Sequence, residues 1–515
     1  MTPGRGLVPT RSEGAGALAS AALFFLSFPP IPLVVPVFLC LVPLAVAVAE
    51  RADASDSARS AARIGFWFAI LGFGTSLYWI AIALAIYTKL AIVGYAATVA
   101  AVAAICAAIT AMMFVARRST RLPMAVLLPA AWVTFEIVLT YLPDLAFPWL
   151  PLGLAMADVP VLAQAADLSG VHGLSFWIAA TNGLFADAWL ARSRPVAVVT
   201  RIALAGALAA AVAAYGAWRM ATTSFAPVAA VAVVQPNVPQ EEKWQAQNQG
   251  RILGMLTDLT SQAQSRRDAQ LIVWPEAALP GFLPEHPEWS QALAGLARAT
   301  GTPIVFGVLD LTVDPSGGYE YYNAAMLADS TGRLDAQPPY HKTYLVPVVE
   351  RVPFLNPRWF AKLKYFGGYG IGRDPHPFRL GFGSVGVLIC YESIFPQRSR
   401  LYRRDGAVLI LNITNDAWFG RTLAPYQHAA HLNLRAIETR MGIVRAANTG
   451  ISEFVDPLGV PHGATELFEP ATRTYRAVST SIITPYVRFG DWIGTIGILI
   501  LVWGQVQAWR VRRRP

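Results

Sequence analysis

Apolar residues run almost unbroken through the first 221 positions. Segments near 16–28, 31–49, 64–87, 90–115, 123–141, 172–190 and 201–221 are parted by short polar or proline-bearing breaks, and one more follows near 491–509. Most reach or approach the ~20 residues that cross a bilayer. The pattern predicts a multi-pass α-helical membrane domain of about eight transmembrane helices. Phe28-Pro29-Pro30 divides the first two segments, which read either as a re-entrant pair or as short tilted spans. Apolar segments recur to residue 221 without a cleavage-like site, which argues against a signal peptide.

The middle of the chain has another rhythm. Short β-branched runs at 228–235, 271–276, 303–309, 385–390, 407–413 and 442–447 end in polar residues, and helical stretches fall near 246–265, 288–300, 394–404 and 426–440. Such alternation predicts an α/β domain with helices covering sheets. The expected organisation is 1–221 for the N-terminal transmembrane helices (about seven), 222–490 for the α/β domain outside the membrane, and 491–515 for a last span with a basic tail.

Composition agrees with the patterning. Of 515 residues, 55% are hydrophobic and only 14% charged, where soluble domains carry about a quarter. The net charge of +9 leaves nucleic acid, anionic lipid and membrane topology as explanations until it is partitioned. Residues 222–490 hold 24 basic and 22 acidic side chains, a poor nucleic-acid surface. The excess sits in alternate loops: Arg5 and Arg11; Arg51, Arg59 and Arg63; Arg117, Arg118 and Arg121; Arg192, Arg194 and Arg201; Arg510, Arg512, Arg513 and Arg514. The opposite connections carry Lys89 and otherwise acids such as Asp144, Asp158 and Asp167. By the positive-inside rule both termini are cytoplasmic and the middle domain lies on the outer face.

Candidate chemistry begins where strands stop. Leu271-Ile272-Val273-Trp274-Pro275-Glu276 runs straight into a carboxylate, and Val385 to Cys390 runs into a thiol followed by Tyr391 and Glu392. Between them Tyr340-His341-Lys342-Thr343-Tyr344 places a lysine in an aromatic setting. Strand ends hold side chains rigidly at the rim of a sheet, where active sites of α/β folds gather. Each residue alone is ordinary; the ordered set is not. Cys40 and Cys106 lie in apolar runs as small hydrophobes, and no CxxC or HExxH pattern supports a metal.

Those residues resemble the nitrilase superfamily, whose members place a Glu, a Lys and a Cys in this order on a four-layer α-β-β-α sandwich. The closer resemblance is to its membrane-embedded branch, the bacterial apolipoprotein N-acyltransferases, and it covers nearly the whole chain. It is carried by Leu26 to Pro30, Trp132 with Glu136, Phe147-Pro148-Trp149 and Gly170 to Phe176 in the membrane part. Further on come Gln235-Pro236-Asn237, Lys243-Trp244, Trp274-Pro275-Glu276, Lys342 to Glu350, Cys390-Tyr391-Glu392, Asn415 to Phe419, Asn448-Thr449-Gly450, Asp456 to Gly459, Thr484-Pro485-Tyr486 and Phe489 to Trp492. One departure is visible: the family's Pro-Phe-Gly-Glu is Pro347-Val348-Val349-Glu350 here.

The resemblance implies catalysis by Cys390 as nucleophile, Glu276 as base and Lys342 as partner of the oxyanion, with a backbone N–H near Tyr391. Glu350 is expected to hold Lys342 or Glu276, and Tyr391 and Glu392 adjoin the thiol, one of them pointing away if the chain stays extended. Trp149 and Trp244 suit a lid or interfacial anchor; His172 and His341 are read as structural. The implied donor is a membrane phospholipid, notably phosphatidylethanolamine giving its sn-1 chain. The acceptor is the α-amino group of the S-diacylglyceryl cysteine of an apolipoprotein. No metal or soluble cofactor and no nucleic acid is required, and a monomer in the bacterial inner membrane is expected.

Two other readings compete. A membrane-anchored amidase would use the same three residues and deliver the acyl group to water, but one span suffices for an anchor. A transporter with an outer cap would show more charge within its spans than Glu136 and Asp187.

Overall fold

Two units make up the computed structural model: Met1–Thr222 with Phe489–Pro515, and Thr223–Arg488. Residues 8–54, 56–86, 89–265, 268–313, 319–355, 368–373 and 375–513 are described; Arg5, Tyr87, Gly317, Arg514 and Pro515 lie outside them.

The first unit is helical. Among the described residues, five elements are long and apolar enough to cross a membrane: Val35–Asp53, Ala91–Thr120, Met124–Tyr141, Pro195–Thr222 and Trp492–Arg512. A sixth arises if Ala58–Ser76 and Trp79–Ala85, bent by 57°, form one broken span. The first expected segment is a helix of only 15 residues, Arg11–Phe25, started by a capping box in which Thr10 and Glu13 serve each other's N–H. The segment at 172–190 lies in Ala166–Leu190, which is kinked at Ser169 and Gly170.

Several buried polar groups inside this unit are paired. Asp187 accepts from the N–H groups of Met124 (3.0 Å) and Ala125 (2.9 Å), closing a helix start that Pro123 leaves without a side-chain cap. Glu136 accepts from the Trp132 indole at 2.6 Å and the Leu152 N–H at 2.8 Å. His172 meets Asp491 at 2.7 Å. These contacts explain how both acids within spans are tolerated, and both histidine nitrogens have partners, Nε2 facing Thr140.

Among the described residues, the second unit holds thirteen strands. They are β1 (Ala226–Gln235), β2 (Leu271–Val273), β3 (Leu279–Phe282), β4 (Ile304–Val313), β5 (Tyr319–Ala328), β6 (Tyr340–His341), β7 (Phe378–Leu380), β8 (Gly383–Ile389), β9 (Leu409–Thr414), β10 (Gly442–Ala447), β11 (Glu453–Val455), β12 (Pro461–His462) and β13 (Ala471–Ser479). One sheet runs β13-β1-β2-β4-β5-β6 with β3 beside β4; the other runs β12-β11-β10-β9-β8-β7. Each has a parallel centre, β1-β2-β4 and β8-β9-β10, flanked by antiparallel strands.

Alternation along the strands makes the layers. Val231, Val233, Leu271, Val273 and Val305 point between the sheets, while Ala232, Val234, Ile272, Ile304 and Phe306 pack on the helices Gln249–Ala263 and Pro287–Thr300. The second sheet is covered by Pro396–Arg404 and Ala424–Thr439 through Tyr402, Leu432 and Ala436. The result is the α-β-β-α sandwich. Strands buried on both faces read as unbroken apolar runs, so the central six were legible, whereas the flanking strands, among them the ten-residue β5 and nine-residue β13, were not.

Candidate active site

Glu276 lies three residues beyond β2. The Trp274 N–H still bonds the Val305 carbonyl at 2.8 Å, and its indole donates to Thr260 Oγ1 at 2.9 Å. The chain then turns sharply, with Ala277 at φ +43°. Gly307 on β4 permits the close approach: a Cβ there would sit 2.6 Å from Glu276 Cα.

Cys390 directly follows β8 with φ +49°, and Cys390–Ile394 is a 3₁₀ turn. The strand therefore does not continue, and Tyr391 and Glu392 are both buried rather than one facing away. A left-handed backbone at a non-glycine residue costs about 1–2 kcal/mol. Packing over-determines it here.

Lys342 follows β6, its N–H bonded to the Asn323 carbonyl at 2.9 Å. Its ammonium lies 2.8 Å from Glu350 Oε1 and 3.5 Å from Glu276 Oε1. Asn323 Nδ2 donates to Glu276 Oε1 at 2.7 Å and to Glu350 Oε1 at 3.1 Å, while the Asn415 N–H donates to Glu276 Oε2 at 2.8 Å. Both carboxylates and the ammonium are thus locked in one cluster, whose Glu276 and Lys342 act electrostatically on the Cys390 thiol, and Lys342 is only 1% exposed.

Glu350 reaches Lys342 despite the missing glycine. Positive φ falls on Val348 (+71°), not on Val349 at the glycine's place, so that place makes no left-handed demand. The Val346 N–H fixes the other oxygen of Glu350 at 2.7 Å.

Electrostatics assign the resting proton. Burial pushes the Cys390 thiol well above its usual range and Glu276 adds to this, outweighing Lys342, which favours the thiolate. Burial opposes the charge on Lys342, but Glu350 and Glu276 more than compensate and raise it. A neutral thiol beside an anchored carboxylate and a permanent cation suits proton transfer at the moment of attack.

Glu392 ties the nucleophile's turn to the lysine's loop. It accepts from the Ile389 N–H (2.8 Å), Tyr340 OH (2.8 Å), Thr343 Oγ1 (2.6 Å) and the Thr343 N–H (2.7 Å). Trp244 packs with Leu309, Tyr321 and Tyr369. Trp149 belongs to the helical unit, where it is 2% exposed with its ring 4.5 Å from Trp79, so it is packed core there rather than an open anchor. His341 stacks on Tyr322 and faces Asp310 at 2.7 Å.

Two groups at the site were given no role by the sequence reading, although Lys243 is among the residues that carry the resemblance. Asn323 lies on β5, a strand whose mixed Tyr-Tyr-Asn-Ala-Ala pattern hid it; a lone amide in an aromatic run was the available signal. Lys243 donates to the Glu276 backbone carbonyl at 3.0 Å, and burial brings its ammonium down to about 8 against the pull of Glu276 and Cys390.

Residues 230–481 match the carbon-nitrogen hydrolase model, and residues 20–184 match the apolipoprotein N-acyltransferase N-terminal domain. A solved amidase from Nesterenkonia sp. AN1 is 22% identical, with a TM-score of 0.38, covering 52% of this chain and 97% of its own. The apolipoprotein N-acyltransferase of Methylococcus capsulatus is 32% identical over 88% of this chain and 89% of its own. That of Brucella suis biovar 1 is 33% identical over 86% and 85%. That of Geobacter metallireducens is 32% identical over 92% of this chain and 91% of its own. With matches of that length over both its parts, the chain belongs to the apolipoprotein N-acyltransferase family.

Proposed function

We propose that the chain transfers a fatty acyl group from a membrane phospholipid to the α-amino group of the N-terminal S-diacylglyceryl cysteine of an apolipoprotein. The observation that carries this reading is the buried Glu276–Lys342–Glu350 cluster beside Cys390, in a chain whose other unit is made of apolar helices. An acyl chain gains ~0.8 kcal/mol per buried CH₂ from its bilayer, so a transferase of two lipidated substrates belongs in that bilayer.

Glu276 takes the Sγ proton as Cys390 attacks the ester carbonyl, phosphatidylethanolamine giving its sn-1 chain. The oxyanion of the tetrahedral intermediate faces Lys342 Nζ and the Tyr391 N–H. Collapse breaks the ester C–O bond, and Glu276 returns the proton to the departing lysophospholipid oxygen. The acyl group now sits on Cys390 as a thioester. In the second half the incoming amine attacks that thioester, Glu276 accepts a proton from nitrogen, and the sulfur leaves and is reprotonated. Glu350 and Asn323 hold the Lys342–Glu276 pair in register. Trp244 lies next to Lys243 and serves as a lid over the acyl group. A monomer contains every group the sequence requires.

The test supplies labelled phospholipid with either a diacylated lipopeptide or buffer alone. Label is expected on the peptide amine in the first case and as a hydroxylamine-sensitive adduct on Cys390 in the second. Free fatty acid in both would select the hydrolase instead. The arginine loops support an outer catalytic unit with both termini cytoplasmic. A reporter fused after Pro515 is then expected to read cytoplasmic, and one inserted at Gly317 external; the opposite pattern overturns the orientation.

A further inference from the structure

The nucleophile's backbone carbonyl is gripped from behind. Ser393 Oγ donates to the Cys390 carbonyl at 2.9 Å, and His428 Nε2 lies 3.1 Å from the same oxygen. His428 Nδ1 lies 3.0 Å from Asp416 Oδ1, which also receives Thr414 Oγ1 at 3.0 Å. Asp416 Oδ2 takes Arg445 Nη2 at 2.6 Å, and that nitrogen lies 3.3 Å from His428 Nδ1. Arg445 is fixed in turn by Asn412 Oδ1 at 2.5 Å and the Ile451 carbonyl at 2.9 Å. Ser393, His428, Asp416 and Arg445 are all at most 1% exposed. Two turns further along the helix that carries His428, Arg435 is paired with Glu438 and donates to the Ile394 carbonyl at 3.2 Å. One helix, Ala424–Thr439, therefore holds both ends of the turn Cys390–Ile394.

Ser393, His428 and Asp416 have the spacing of a hydrolytic triad, at 2.9 Å and 3.0 Å. They do not form one that a substrate can use, because the serine has no exposed surface and its hydroxyl serves the Cys390 carbonyl. A carboxylate and a carbonyl are acceptors only, so in any hydrogen bond between His428 and either of them the imidazole is the donor. The network's output is the direction of a single carbonyl.

That direction matters because the peptide is planar and trans. In such a peptide the carbonyl and the next N–H point opposite ways. Holding the Cys390 carbonyl toward His428 turns the Tyr391 N–H to the other side of the chain. We infer that His428, backed by Asp416 and Arg445, is a positioning residue that aims the Tyr391 N–H at the acyl oxygen by fixing the Cys390–Tyr391 peptide. This rests on the reading of Cys390 as nucleophile and of that N–H as its oxyanion donor. The left-handed Cys390 backbone is what the network restrains, since an unfavoured conformation relaxes once nothing holds it.

Two reactions of the same thiol separate the role from general stability. Alkylation by iodoacetamide forms no oxyanion, whereas acylation by phospholipid does. His428→Asn keeps a donor toward Asp416 but none toward the carbonyl. It is expected to lose ~10²–10³ in the rate of Cys390 acylation, with alkylation changed by no more than about threefold. His428→Gln extends its amide to where Nε2 stood and is expected to recover acylation to within about tenfold of the natural enzyme. Ser393→Ala removes the other donor at little cost in volume and is expected to lose about tenfold in acylation alone. Equal losses in both reactions, Gln no better than Asn, or unchanged acylation in Ser393→Ala would overturn the clamp. The last result stands even if His428→Asn does not accumulate. If the natural enzyme never takes an acyl group on Cys390, the nucleophile assignment fails first, and the clamp with it.

Discussion

Cys390→Ala is expected to abolish acyl transfer, by at least about 10⁴-fold, while the protein stays folded in the membrane. The loss is large because every other group at the site acts on this sulfur: Glu276 takes its proton, and Lys342 meets the oxyanion that its attack creates. Without the thiol there is no thioester, and the phospholipid would have to meet the amine directly. The fold should survive. Alanine accepts φ +49° no worse than cysteine does, and the side chain removed is one sulfur at a position already 7% exposed. The grip of Ser393 and His428 on the Cys390 carbonyl involves backbone and is untouched. Cys390→Ser should fail almost as badly, since a hydroxyl is far less acidic than a thiol and burial already holds the thiol neutral. Intact mass after incubation with phospholipid should show the acyl adduct on the natural enzyme and none on either variant. Near-normal turnover by the alanine variant would end the thioester mechanism.

What could be read from sequence followed from burial. Glu276 and Cys390 stood out because β2 and β8 are buried on both faces, so each polar residue marks the point where the run leaves the core. Asn323 did not, because β5 carries its polarity inside the strand. The turn at Cys390 was invisible for a different reason. Its left-handed backbone is enforced by His428, 38 residues away, and nothing in Cys390-Tyr391-Glu392 signals it. The helix carrying His428 is buried along nearly its whole length, so no amphipathic stripe distinguishes the face that grips the turn. In the helical unit, Ala166–Leu190 passes for an ordinary apolar segment only in its later part. Asp167, His172, Asn182 and Asp187 dilute it, and each is spent on a partner: Asn182, for example, bonds the Leu41 N–H and the Val37 carbonyl.

Glu276→Gln should be the second most damaging change, costing ~10²–10⁴ in acyl transfer as general-base catalysis is lost. The side chain keeps its shape but cannot take a proton from sulfur or from the incoming amine. It also disturbs its neighbours. Asn323 Nδ2 and the Asn415 N–H are donors aimed at the two carboxylate oxygens, and an amide in place of the carboxylate leaves one donor facing another. The pH response separates loss of the base from loss of shape. Burial first, and then Glu276, push the Cys390 thiol up. Removing a negative neighbour favours the thiolate, so the alkylation profile of Cys390 should move toward lower pH in Glu276→Gln, staying above that of an exposed thiol because burial remains. Acylation should collapse across the same range, since the departing lysophospholipid oxygen still needs a proton. Glu350→Gln should behave differently. Glu350 touches Lys342 rather than the reacting atoms, so about a tenfold loss with no such shift is expected. Retention of acyl transfer within about threefold by Glu276→Gln would mean that another group is the base. Lys243, whose ammonium is brought down to about 8 beside Glu276 and Cys390, would then be the first place to look.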